Sequence, residues 1–131
     1  SKDWGETNWL QLIERLGKIL TGWQLVLIGA PEESDFADLC LLAWLGEGVN
    51  LCGKCSPRVS AAVLKKAKLF VGHDSGPMHL AACVETPCVA IFSGRNLPMQ
   101  WYPYGNSNTI IYHPTDCAGC DLDICIENKK K

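Results

Sequence analysis

What this sequence lacks narrows it first. No apolar run approaches the roughly 20 residues of a membrane-spanning helix. The opening Ser1-Lys2-Asp3-Trp4 lacks the charged-then-apolar order of a secretory signal. The 12 Lys and Arg nearly balance the 14 Asp and Glu, for a formal net charge of −2. No basic face able to neutralise a polyphosphate backbone follows from such totals, so nucleic acid is not the expected partner. There is no internal repeat and no low-complexity segment apart from Lys129-Lys130-Lys131, which reads as a solvated tail. What remains is 131 residues at 47% hydrophobic and 20% charged, the profile of one soluble domain burying roughly two-thirds of its unfolded surface.

Eight cysteines in a short chain can signal a disulfide scaffold. Here Cys40, Cys52, Cys55, Cys83 and Cys88 lie in or beside apolar segments of a core-forming sequence, so buried thiols in a reducing compartment are the expectation. Cys117, Cys120 and Cys125 form a separate group.

Along the chain, Trp9, Leu12, Ile13, Leu16, Ile19 and Leu20 recur at helical spacing, and the pattern predicts a helix over 7–20 capped by Thr7 or Asn8. Residues 24–28 are a short apolar run between Gly22 and Gly29, as in a strand covered on both faces. Ser34 or Asp35 can cap a helix whose apolar set is Phe36, Leu39, Leu42, Ala43 and Leu45, ending near Gly46 and Gly48. Residues 49–52 form a weaker strand. Ser56-Pro57 has the form of a cap followed by proline at the first helical position, and Val59, Ala62, Val63 and Ala67 line the helix after it. Strand 68–72, helix 77–84, strand 87–92, a loop over 93–108 and a last strand 109–112 complete the alternation. Strands alternating with helices predict an α/β fold with a parallel sheet, whose ligands sit beyond the carboxyl ends of the strands.

Asp74-Ser75-Gly76-Pro77-Met78-His79 stands at such a place, directly after a strand and opening a helix. Backbone N–H groups at a helix N-terminus attract anions. Gly76 admits a ligand close to the backbone, Ser75 adds a hydroxyl, and His79 can donate to a phosphate or sugar oxygen. Asp74 suits sugar hydroxyls better than phosphate. The alternative is that Asp74 and Ser75 only cap the helix. His73, ahead of the turn, reads as structural or solvent-facing, not catalytic.

These residues, continued as Leu80-Ala81-Ala82, then Thr86-Pro87-Cys88-Val89-Ala90-Ile91-Phe92 and Trp101-Tyr102-Pro103-Tyr104-Gly105, resemble the signature of glycosyltransferase family 9, the ADP-heptose:lipopolysaccharide heptosyltransferases. Ser1-Lys2-Asp3-Trp4, Leu27-Ile28-Gly29-Ala30-Pro31-Glu32-Glu33 and Asn50-Leu51-Cys52-Gly53-Lys54-Cys55-Ser56 extend the resemblance upstream. It implies a Rossmann-like domain, the C-terminal half of a GT-B glycosyltransferase, with the acceptor-binding N-terminal domain and the first strand of the sheet lying outside residues 1–131. By the same resemblance Lys2 pairs with the diphosphate, Glu33 binds the ribose with Glu32 as its rival, the backbone around Cys55 and Ser56 lies near the base, and Asp74, Ser75, Gly76 and His79 hold the diphosphate and sugar. Lys2 read without the family is a mobile terminal lysine. The implied donor is ADP-heptose or another nucleotide diphosphate sugar, with no cofactor required. The implied partners are that donor and a lipid-linked glycan acceptor of the lipopolysaccharide core, and the implied location is cytoplasmic, peripheral to the inner membrane.

Transfer in the family inverts the anomeric centre and uses an aspartate of the N-terminal domain as base, so the chain alone is expected to bind donor weakly and transfer nothing. A missing first strand would be tolerated, filled by another segment, or covered by edge-to-edge dimerisation. Other functions compatible with the residues are a non-catalytic nucleotide-sugar-binding module and an epimerase-like enzyme of the same two-domain layout. Ser93-Gly94-Arg95-Asn96 stands where the family shows Gly-Pro-Thr, a departure that bears on sugar choice, and Gly5 replaces a proline. Cys117 and Cys120, with Cys125 and His113, have half of a zinc-ligand spacing. A set of free thiols is the equal alternative, and no metal enters the expected chemistry.

Overall fold

The computed structural model describes residues 3–120; Lys2 and Cys125 fall outside them. The apolar runs form strands, and the strands pair in parallel. The pairing runs in two sheets, β1-β2 and β3-β4-β5, each with helices packed on it, and the chain divides into two compact units, Gly5–Ser60 and Ser1–Trp4 with Ala61–Lys131.

In the unit Gly5–Ser60, α1 (Glu6–Ile19) precedes β1 (Leu25–Leu27), a 3-10 turn (Pro31–Glu33), α2 (Ser34–Trp44) and β2 (Gly48–Asn50). The start of α1 differs from the expected Thr7 or Asn8 cap. Its N-cap is Gly5 at φ 95°, whose carbonyl accepts from Asn8 N and Trp9 N. That backbone conformation favours glycine, which explains a glycine where the family has proline. Ile13, Cys40 and Trp44 form the buried centre, with Leu10, Leu16, Leu20, Leu25, Leu27, Phe36 and Ala43 around it.

The apolar face expected for α2 holds at Phe36 and Ala43, which pack on the core, and is corrected at its leucines. Ala37, Cys40 and Trp44 are buried, whereas Leu39, Leu42 and Leu45 are exposed. A helix apolar around most of its circumference offers no single stripe to read, and its rotation is set by the ends. Asn50, the last residue of β2, supplies that anchor: its Nδ2 donates to Ser34 O, Ser34 Oγ and Asp38 Oδ1, and its Oδ1 accepts from Cys52 N. The last bond also draws Cys52 out of the expected strand 49–52.

α3 (Pro57–Lys66) begins at the expected proline. Its buried residue is Leu64, while Val59 and Ala62, placed on the inner face by spacing, are exposed. Thr86, buried, donates to the Leu64 carbonyl at 2.7 Å and so holds the last turn of the helix.

β3 (Phe70–His73), α4 (Gly76–Cys83), β4 (Cys88–Phe92) and β5 (Thr109–Tyr112) build the other unit, with β4 in the middle. Cys88, Ala90 and Phe92 alternate inward along β4, the period of a strand covered by a helix. Met78 of α4 packs on Ala90 and Phe92, with Phe70, Tyr102, Ile110 and Tyr112 around them. Tyr102 meets Phe92 edge-on, ring centres 4.9 Å apart.

Candidate functional site

At the carboxyl ends of β1 and β2, two loops run side by side. Leu51 N donates to Leu27 O and Gly53 N to Gly29 O, extending the strand pairing into the loops. Glu33 ends the 3-10 turn and folds back so that its Oε2 accepts from Ala30 N at 2.7 Å. This is possible because residue 29 is glycine: a Cβ there would run into the Glu33 carboxylate and the Cys52 sulfur. Glu33 is exposed, and a carboxylate with one oxygen so engaged retains capacity for further donors.

Ser56 stands in the neighbouring loop as the cap of α3. Its carbonyl accepts from Ser60 N, and its hydroxyl accepts from Val59 N at 3.4 Å. Cys55 is half-buried beside it. Residues Glu33, Cys55 and Ser56 therefore share one edge of this unit. Cys52, buried beneath, has its thiol pKa raised, first by burial and then by the Glu33 charge.

In the other unit, β3 ends at His73 and the chain turns through Asp74 and Ser75 into α4. Ser75 is the N-cap, in extended conformation, yet its side chain makes no capping bond; its hydroxyl donates instead to His73 O at 3.4 Å. Ser75 thus caps the helix through its backbone carbonyl and not through its side chain. The N–H groups are fewer at this terminus than the sequence suggested. Pro77 has none, and those of Met78 and His79 turn back to Ser75 O, at 3.1 and 3.4 Å. Gly76 N–H remains as the terminal donor. Ser75 and Gly76 are exposed, and a Cβ on Gly76 would meet nothing within 4 Å, so the space beside its Cα is open.

Asp74 is buried, its side chain 5% exposed. Oδ2 accepts from Asn96 Nδ2 at 2.9 Å, and Oδ1 lies 4.0 Å from Nε2 of His79, whose side chain is 43% exposed. Spacing did not reveal Asn96 as Asp74's partner. The signal that could have found it is topological: β3 and β4 are parallel neighbours, so the loops after them emerge on the same edge. His73 Nε2 accepts the backbone N–H of Trp4 at 3.1 Å. That bond ties Trp4 to the end of β3 and gives His73 a structural role, one of the two readings its position allowed.

Among the described residues, which do not include Cys125, no group of three His, Cys, Asp or Glu side chains could hold an ion. Cys117 Sγ lies 3.7 Å from Thr115 Oγ1, and Gly119 N donates to Gly94 O, which fastens this segment to the loop after β4. No helix among the described residues is long and apolar enough to cross a membrane.

The model of glycosyltransferase family 9 (heptosyltransferase) matches residues 1–131. The chain is 30% identical to lipopolysaccharide heptosyltransferase 3 of Escherichia coli over 81% of its length, and 32% identical to lipopolysaccharide heptosyltransferase 1 of Pseudomonas aeruginosa over 95%. It spans 31% and 34% of those two proteins, about a third of each. Its fold matches a solved structure of E. coli heptosyltransferase WaaC with ADP-2-deoxy-2-fluoro heptose at a TM-score of 0.70 and 27% identity, over 92% of this chain and 36% of that one.

Proposed function

The chain belongs to glycosyltransferase family 9, the heptosyltransferases, and from that premise we propose that it is the donor-binding domain of a transferase that moves heptose, or a related sugar, from a nucleotide diphosphate sugar to a lipopolysaccharide-core acceptor. In this reading the acceptor-binding domain and the general base lie outside residues 1–131. The observation that carries this reading is the open, side-chain-uncapped start of α4, with Gly76 at its mouth and His79 half-exposed in its first turn.

Each residue then has a chemical task. Negative charge grows on the departing diphosphate as the glycosidic bond breaks, with inversion at the anomeric carbon. The Gly76 N–H, the helix dipole, the His79 imidazole and the Ser75 hydroxyl, once it turns from His73 O to the ligand, stabilise that charge more in the transition state than in the ground state. Loss of one such donor costs about 3 kcal/mol of barrier stabilisation. Lys2 adds a cation; it lies two residues before Trp4, whose amide is bound by the histidine that precedes Asp74. Glu33, pinned by Ala30, accepts from the ribose hydroxyls, and the backbone at Cys55 and Ser56 borders the base. Asp74, buried, acts at the sugar end of the site chiefly through His79.

Isothermal titration of the chain with ADP, UDP and GDP tests this. ADP is expected to bind, and His79→Ala to weaken it by roughly ten- to hundredfold. Equal affinity of the variant and the parent for all three nucleotides would remove the site.

A further inference from the structure

We propose, on the donor-site reading above, that Asn96 is a positioning residue: its amide fixes the Asp74 carboxylate and, through it, the imidazole of His79. Asn96 and Asp74 are both buried, with 7% and 6% of their surface accessible. The bond between them, Nδ2 to Oδ2 at 2.9 Å, is itself buried. A carboxylate has no donor to offer, so the amide must present its NH2 group and cannot be turned the other way.

A hydrogen bond of this kind, made to a charged group out of water, is stronger than a neutral one and offsets part of the cost of burying the carboxylate. It also stops rotation about the Cβ–Cγ bond. With Oδ2 held, Oδ1 is left on the side of His79, 4.0 Å from Nε2. The three side chains form a line from the interior to the surface: an amide that donates, a carboxylate that faces the ring across 4.0 Å and acts on it through its field and not through a hydrogen bond, and an imidazole with 43% of its side chain exposed.

The scaffold supports this. β3 and β4 are hydrogen-bonded in parallel, with His73 opposite Ile91, so Asp74 and the loop after Phe92 leave the sheet together. The loop is fastened on both sides of Asn96: Arg95 N donates to Ser93 Oγ, Gly94 O accepts from Gly119 N, and Leu97 N donates to the Gln100 side chain. Asn96 lies in the segment Ser93–Asn96 that departs from the family pattern. A substitution there is therefore felt at His79 with no contact between residue 96 and the ligand required.

The test compares Asn96→Asp, which keeps the shape and opposes like charges, with Asn96→Ala, which deletes the donor. Both are measured in the ligand-free chain by NMR of the histidine ring signals, with His79→Ala identifying which of the three histidines is which. His79 signals are expected to move in each variant while those of His73 stay, and ADP affinity to fall about tenfold. Should like charges unfold Asn96→Asp, Asn96→Ala carries the test. A folded variant with unchanged His79 signals overturns the proposal, whatever its melting temperature, because a residue that only supports the fold would lower stability without reaching His79. Failure of the parent to bind ADP would remove the donor-site reading and leave the NMR comparison to judge the positioning.

Discussion

Asn50 Nδ2 donates to Asp38 Oδ1 at 2.7 Å, joining the end of β2 to the second turn of α2. The same nitrogen also reaches Ser34, and the carbonyl oxygen of the side chain takes the Cys52 N–H, all with Asn50 7% exposed. Asn50→Ala leaves the buried Cys52 N–H without its acceptor and frees half-buried Ser34 and exposed Asp38 to water, and is expected to cost about 1–3 kcal/mol. A urea melt reads the loss directly; a change below about 1 kcal/mol would show that water takes over the partners.

Gly17→Ala looks favourable on helix propensity, by about 1 kcal/mol. In α1, however, a Cβ at residue 17 would strike the backbone carbonyl of Trp44, which cannot move aside as a flexible side chain can. The net effect is expected to be destabilising, by about 1–3 kcal/mol. A rise in melting temperature would mean that α1 and α2 part easily.

Burial, helped by Cys52 and then Glu6, pushes the Cys40 thiol from 9.0 up to about 11, and burial likewise raises Cys88 and Cys52. A raised folded-state pKa means that the unfolded chain gives up the proton first. Stability is then whole below pH 9 and falls as pH climbs toward 11. Urea midpoints in reducing buffer at pH 8, 9, 10 and 11 are expected to drop faster for the parent than for Cys40→Ala. Parallel curves would remove the thiol from the account.

Glu33→Ala is expected to weaken ADP about tenfold but 2′-deoxy-ADP far less, since a carboxylate that reads the ribose loses part of its purpose when a hydroxyl is missing. Titration with both nucleotides decides; equal losses would place Glu33 in the loop's support alone.

Element order was legible because its signals are local. An apolar run between Gly22 and Gly29 set β1, the apolar run from Pro87 to Phe92 set β4, Ser56-Pro57 set the start of α3, and the step from strand into Gly76-Pro77 marked the site turn. Each lies within one or two residues of its place in the structure. What stayed hidden depends on neighbours distant in sequence. The buried side of α2 follows Cys40 and Trp44 and the grip of Asn50, so three exposed leucines misled a count of apolar spacing. The Asn96–Asp74 bond joins residues 22 positions apart and becomes readable once β3 and β4 are known to be adjacent. Lys2 rests on the family resemblance, not on a contact.

Glu33 serves two masters. Through Ala30 it closes the turn before α2, and it is also the group assigned to the ribose, so retuning it for another nucleotide alters the loop that displays it. Protein engineers seeking altered donor choice would do better to vary residues bordering the turn while keeping both this carboxylate and the bare backbone of Gly29. Otherwise selectivity and robustness will drift together.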